Sequence, residues 1–194
     1  MKVVAFDGGA RRDGPVPVLL RRVLDELEAE GVETELLHLQ KDHRTGCYAC
    51  GQCAHKRDDR CSRPMDDGLR RCVEKMILAD GVVVGSPAYD AGCSPAVQRL
   101  MQRADHVRRK RGDVLAGKPA GAVVGAGAGA AGAARALEGI TDWFRAGGMI
   151  VVGSHLQGHG AGEVGGDGTG NEDAMEAMAA LGRAMARELG RAAG

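Results

Sequence analysis

The sequence predicts a doubly wound α/β domain on a five-stranded parallel sheet of order 2-1-3-4-5. Three observations carry this. Short, almost wholly apolar runs recur along the chain, as strands covered on both faces require. Stretches with apolar residues at helical spacing separate those runs. The 194 residues are enough for one domain with a substantial core, so a single domain over 1–194 is expected.

Taken in order, Lys2–Asp7 reads as a buried strand through Val3, Val4, Ala5 and Phe6. Gly8–Gly14 is a glycine-containing loop. Val16–Glu30 repeats apolar residues at Val16, Leu19, Leu20, Val23, Leu24 and Leu27, and so reads as a helix. Pro17 suits its first turn and Gly31 its stop. Glu33–Leu39 is the second strand. A cysteine-rich loop follows over 46–64, then a helix at Met65–Leu78. Val82–Gly85 is the third strand, apolar throughout and therefore central. Ser86–Ser94 is expected as a loop. Pro95–Arg108 is a helix with Ser94 as its N-cap. Ala120–Val124 is the fourth strand, followed by a glycine and alanine loop and a helix over Ala133–Ala146. Met149–Val152 is the fifth strand. His155–Gly170 is glycine-rich, and Glu172–Leu189 is a last amphipathic helix.

In such a sheet, ligands sit beyond the carboxyl ends of the strands, where the order reverses between strands one and three. The loops 8–15, 86–94 and 125–132 therefore form the expected site. Asp7, ending strand one, is expected to cap the first of them. Cys72 reads as a small core residue, and Cys93 as a small core residue or a second thiol at the site.

The formal net charge is +0, which gives no bulk attraction to nucleic acid or to a membrane surface. No apolar run is long enough to span a bilayer. The N-terminus starts directly on the strand-like KVVAF, and a cytoplasmic protein is expected. Reduced cysteines in that compartment more often bind metal or do redox work.

Four of the six cysteines fall in one loop: Cys47, Cys50, Cys53 and Cys61, spaced C-x2-C-x2-C-x7-C. Thiolates repel one another, so gathering four needs a reason. Iron–sulfur cubanes take four thiolates, often from C-x2-C-x2-C runs. Structural zinc usually uses two separated C-x2-C knuckles. One tight run of three suits a [4Fe-4S] cluster better than zinc; disulfides or free thiols are the other readings.

With these residues in view, the chain resembles the iron–sulfur flavoprotein branch of the NADPH-dependent FMN reductase group, which has the flavodoxin-like fold. The stretches that carry the resemblance are the cysteine loop with Asp66 and Asp67 after it, Gly85-Ser86-Pro87-Ala88-Tyr89, Leu115–Pro119 with Ala120–Gly129, and Gly148–Gly153. The resemblance implies a flavin-dependent oxidoreductase linked to NAD(P)H or ferredoxin. It would pass electrons to a small-molecule acceptor through FMN and a [4Fe-4S] cluster on Cys47, Cys50, Cys53 and Cys61. It implies FMN contacts from Gly9, Arg11, Arg12 and Val16, from Ser86, Pro87, Ala88, Tyr89 and Asp90, and from Gly125, Ala126 and Gly127. Tyr89 would stack on the flavin ring. The resemblance also implies a homo-oligomer, dimer or tetramer, with one subunit's cluster near a neighbour's flavin.

The first loop departs from the family pattern G-S-x-R-x-x-G-N-T. Gly9 stands in place of its Ser, Pro15 of its Asn and Val16 of its Thr, while Arg11 is kept. That motivates an alternative: a flavodoxin-like protein that keeps the cluster, has lost FMN and binds another ligand. Lys56, Arg57 and Arg60 either dock an acidic donor such as ferredoxin or form a solvated charged loop. His155 and His159 sit in a glycine-rich stretch suited to a lid or an intersubunit contact rather than a metal pair.

Overall fold

A computed structural model describes residues 1–39, 67–90, 92–125, 129–152 and 172–193. Within them run β1 (Lys2–Asp7), α1 (Pro15–Ala29), β2 (Glu33–His38), α2 (Asp67–Leu78), β3 (Gly81–Tyr89) and β4 (Gly92–Cys93). Then follow α3 (Pro95–Arg111), β5 (Pro119–Gly125), α4 (Gly129–Ala146), β6 (Ile150–Val151) and α5 (Glu172–Ala193).

The sheet places β2-β1-β3-β5-β6 side by side, all parallel, with β4 paired antiparallel to β3. The expected five strands in the order 2-1-3-4-5 are thus corrected to six in the order 2-1-3-5-6, with β4 off that path. The extra strand arises in the stretch expected as a loop after Gly85. There β3 continues to Tyr89, turns, and returns as Gly92–Cys93, pairing Ala88 with Cys93 and Tyr89 with Gly92. Gly92 supplies the turn with φ of 121°, a value other residues rarely reach. Pro87 costs this strand one donor without ending it, and it still lies opposite Gly125 of β5.

Alternation along the strands divides the core in two. Val4 and Phe6 of β1, with Val82 and Val84 of β3, face Met76, Leu100 and Phe144 on one side. Val3 and Ala5, with Val83 and Val123, face Leu20, Leu24 and Leu181 on the other. Cys72 and Cys93 belong to the first of these clusters, as core residues. Helix α1 lies against α5, and Gly182 lets them close up: a methyl there would sit 2.7 Å from Val23 O. Among the described residues no helix is long and apolar enough to cross a membrane.

The helix bounds shift little and for local reasons. Helix α1 begins at Pro15, since a second proline is as welcome as Pro17 in a first turn. Helix α3 runs to Arg111 and stops at Gly112, with φ of 83°. Ser94 is its N-cap, as expected, accepting the Val97 amide at 3.4 Å.

Candidate functional site

The carboxyl ends of β1, β3 and β5 converge on the N-terminus of α1. Register places Asp7 of β1 between His38 of β2 and Gly85 of β3. Loop one (8–14) leaves β1 here. Its first amide, Gly8 N–H, donates to Gly85 O at 2.8 Å, tying the loop to β3. Gly8 must be glycine, because a methyl there would lie 2.4 Å from Val97 Cγ2 and 2.7 Å from Ser94 Oγ.

Asp7 caps the loop, as expected. Its side chain is fully buried. Oδ1 accepts the Gly9 amide at 2.7 Å, closing an Asx turn. Oδ2 lies 2.6 Å from His38 Nδ1. Burial pushes the Asp7 carboxyl above its usual range, while the Gly9 amide and His38 act the other way. His38, 31 residues away in sequence, had no local signal. Only the pairing register of β1 with β2 brings it to Asp7.

Beside this latch is a cavity of about 210 Å³, lined by Gly9, Ala10, Arg11, Gly14, Pro15, Val16, Pro17, Pro87 and Tyr89. It joins five of the residues expected from loop one and α1 or from the β3 end: Gly9, Arg11, Val16, Pro87 and Tyr89. Ala10, Gly14, Pro15 and Pro17 were not among the expected contacts. They were legible as neighbours of Arg11 and Val16 on the same turn. Tyr89 is 45% exposed, so its ring is open to a ligand. Arg12 is exposed and does not line the cavity.

Val16 does line it, but its side chain is committed elsewhere. A methyl on Gly85 would lie 2.8 Å from Val16 Cγ1, and one on Gly125 2.9 Å from Val16 Cγ2. The isopropyl group therefore wedges between the ends of β3 and β5, leaving its backbone for a ligand. Of the first three positions of α1, Pro15, Val16 and Pro17, Val16 alone keeps an amide proton. The amides of Ala10, Arg11, Arg12 and Asp13 take no partner among the described residues.

Ser86 is fully buried and structural: its hydroxyl donates to Pro87 O and accepts the Ser94 amide, both at 2.8 Å. It pins the β3–β4 turn to the start of α3. Ala88 is buried, and Asp90 is exposed at the turn, its carbonyl accepting Arg135 Nε at 3.0 Å. Gly125 ends β5 beneath Val16. Ala126, Gly127, His155, His159, Asp66 and the four loop cysteines lie outside the described residues. Among the described residues no three His, Cys, Asp or Glu side chains gather as a metal site.

The arrangement suits an anionic ligand with a flat ring. Unpartnered loop amides, the Arg11 guanidinium and a helix N-terminus all favour negative charge. An exposed tyrosine, Tyr89, lines the same cavity.

Among known proteins, the family model described as NADPH-dependent FMN reductase matches residues 1–162. The chain is similar to the iron–sulfur flavoprotein MJ1083 of Methanocaldococcus jannaschii, 32% identical over 191 residues and covering 96% of each chain. Its backbone is similar to that of RosB, solved with bound 8-demethyl-8-formylriboflavin-5'-phosphate. The TM-score is 0.70 at 16% identity, covering 98% of this chain and 79% of that one. A flavodoxin from the domain Archaea gives 0.62 at 12% identity, covering 98% and 99%. These two structures show the fold alone, and it is flavodoxin-like.

Proposed function

The chain belongs to the NADPH-dependent FMN reductase family, and from that membership we propose that it passes electrons from ferredoxin or NAD(P)H to a small-molecule acceptor through FMN and a [4Fe-4S] cluster. As a member it is a flavin-dependent oxidoreductase. The observation that carries the finer reading is the match to an iron–sulfur flavoprotein over 96% of both chains. The C-x2-C-x2-C-x7-C run supports it, since Cys47, Cys50, Cys53 and Cys61 make up the donor set a cubane needs.

The cleft's donors fit a flavin phosphate. Arg11 and the amides of Ala10 to Asp13 would hold it, with the Val16 amide at the head of α1. Tyr89 would cover one face of the ring. Pro87, Ala88 and the backbone of Gly125, Ala126 and Gly127 would line its polar edge. Ser86 fixes the turn that presents Tyr89. Arg12 would meet the phosphate from the rim, and Asp90 would stand at the cleft mouth. When bound, FMN accepts an electron pair and releases single electrons, which a cluster carries one at a time. The protein works as a homo-oligomer, with the cluster of one subunit near a neighbour's flavin.

Anaerobic reduction tests this reading. NAD(P)H or reduced ferredoxin should bleach the flavin band and give a paramagnetic cluster signal. Replacing Cys47 and Cys50 with Ala should abolish that signal and leave flavin reduction intact. A flavin band that neither donor bleaches would overturn the reading. Arg11→Ala should weaken FMN by about tenfold or more, the scale of a charge-assisted hydrogen bond.

A further inference from the structure

Behind the cavity sits a hydrogen-bonded acid–imidazole pair that the flavin reading does not use. Asp7 is fully buried at the end of β1, with Oδ1 on the Gly9 amide and Oδ2 on His38 Nδ1. His38 is 21% exposed on its side chain, so its ring reaches solvent. The groups facing Asp7 come from every neighbouring element: His38 from β2, Gly85 from β3, Gly8 and Gly9 from loop one, and Val16 from α1. Among them His38 supplies the ionisable ring, hydrogen-bonded to Asp7 at 2.6 Å.

The pair also accounts for Gly9. A methyl at that position would lie 2.9 Å from Asp7 Oδ1. The carboxylate thus occupies the space a side chain at position 9 would need and accepts that residue's backbone N–H. In exchange, loop one acquires a negative charge at its root. A phosphate bound to the loop would feel that charge through protein rather than through water, where screening is weak. An imidazolium on the second carboxylate oxygen cancels it.

On the flavin reading above, we propose that Asp7 and His38 are specificity-determining residues that set how strongly loop one prefers phosphorylated over unphosphorylated flavin. With His38 protonated, the pair is neutral and the loop accepts a phosphate dianion. With His38 neutral or absent, the buried carboxylate opposes the dianion and leaves an uncharged flavin untouched.

The test is equilibrium binding of FMN and of riboflavin, each to the flavin-stripped full chain, in wild type, Asp7→Asn and His38→Gln. Asn keeps an acceptor for the Gly9 amide and removes the charge. Asp7→Asn should tighten FMN about tenfold, and His38→Gln should weaken it by about as much. Riboflavin should change less than about twofold in both. If Asp7→Asn fails to fold, His38→Gln carries the test alone. FMN and riboflavin moving together would overturn the inference, reducing the pair to a support for loop shape. An unmoved ratio would overturn it as well. Failure of the wild-type chain to bind either flavin would overturn the flavin reading and this inference with it.

Discussion

The two ends of the sheet handle charge in opposite ways. At the amino end, ionic groups are exposed and paired. Lys2 Nζ lies 2.7 Å from Glu33 and 3.5 Å from Glu35, and Lys75 also bonds Glu35. Lys118 closes the carbonyls of Ile77 and Ala79 at the end of α2. Among the described residues of the carboxyl end, Arg11, Arg12 and Asp13 of loop one are exposed and make no ion pair. Gly8 and Gly14 let backbone approach Gly85 O and Arg11 O, Gly85 and Gly125 make room for the Val16 side chain, and the Asp7 carboxyl is fully buried beside Gly9. The amino end is built to be stable in water. The carboxyl end is built to leave loop amides and the guanidinium groups of Arg11 and, at the rim, Arg12 for something else. Changes at the carboxyl end should therefore be costly, and changes at the amino end nearly silent.

The sharpest way to break that contrast is Gly8→Ala. Its new methyl would meet Val97 and the α3 cap Ser94 at once. Overpacking of this kind costs about 1–3 kcal/mol, to be read from chemical denaturation. An unchanged midpoint would mean the carboxyl end is looser than described. Ser86→Ala should follow closely. It strands the buried Ser94 amide, at a cost of about 1–3 kcal/mol, and should loosen the turn carrying Tyr89.

A smaller effect separates the two ends by pH. The Asp7 carboxyl is held above its usual range by burial, so the folded chain keeps a proton there that the unfolded chain has lost. The stability from this group is full below the ordinary carboxylate range. It is lost as pH rises through Asp7's folded value. Asp7→Asn should flatten that slope in denaturation midpoints measured against pH. Glu35 has the opposite sign. The Lys75 hydrogen bond, its largest influence, holds its carboxyl low. Its contribution is present above the ordinary carboxylate range and is lost as pH falls through the folded value. Glu35→Gln should change stability by less than about 1 kcal/mol, because the pair is solvent-screened. A larger loss from Glu35→Gln than from Ser86→Ala would reverse the comparison.

Most of the scaffold was legible in sequence because its signals are local. Lys2–Asp7 and Ala120–Val124 are apolar runs, and they form the buried strands β1 and β5. Pro17 and Ser94 marked helix starts that the structure bears out. The site was legible only in outline. The stretch 86–94 read as a loop, yet a proline whose amide is not needed, Pro87, and a glycine at a tight turn, Gly92, are compatible with a short hairpin. Val16 was expected at the ligand, but nothing in the helical pattern says that its methyl groups fit between Gly85 and Gly125. The Asp7–His38 pair is invisible without the register of two strands. The cysteine run remains a reading of spacing and resemblance, outside the described residues.

The most direct measurement is the visible spectrum of the chain purified without oxygen, with iron, sulfide and FMN quantified on the same sample. About four iron, about four sulfide and about one FMN per chain are expected, with a broad charge-transfer band beneath the flavin peaks. Iron and sulfide without flavin would mean that the Gly9, Pro15 and Val16 loop has abandoned FMN and that the cleft takes another ligand. A colourless protein with neither iron nor flavin would contradict the two-cofactor oxidoreductase altogether.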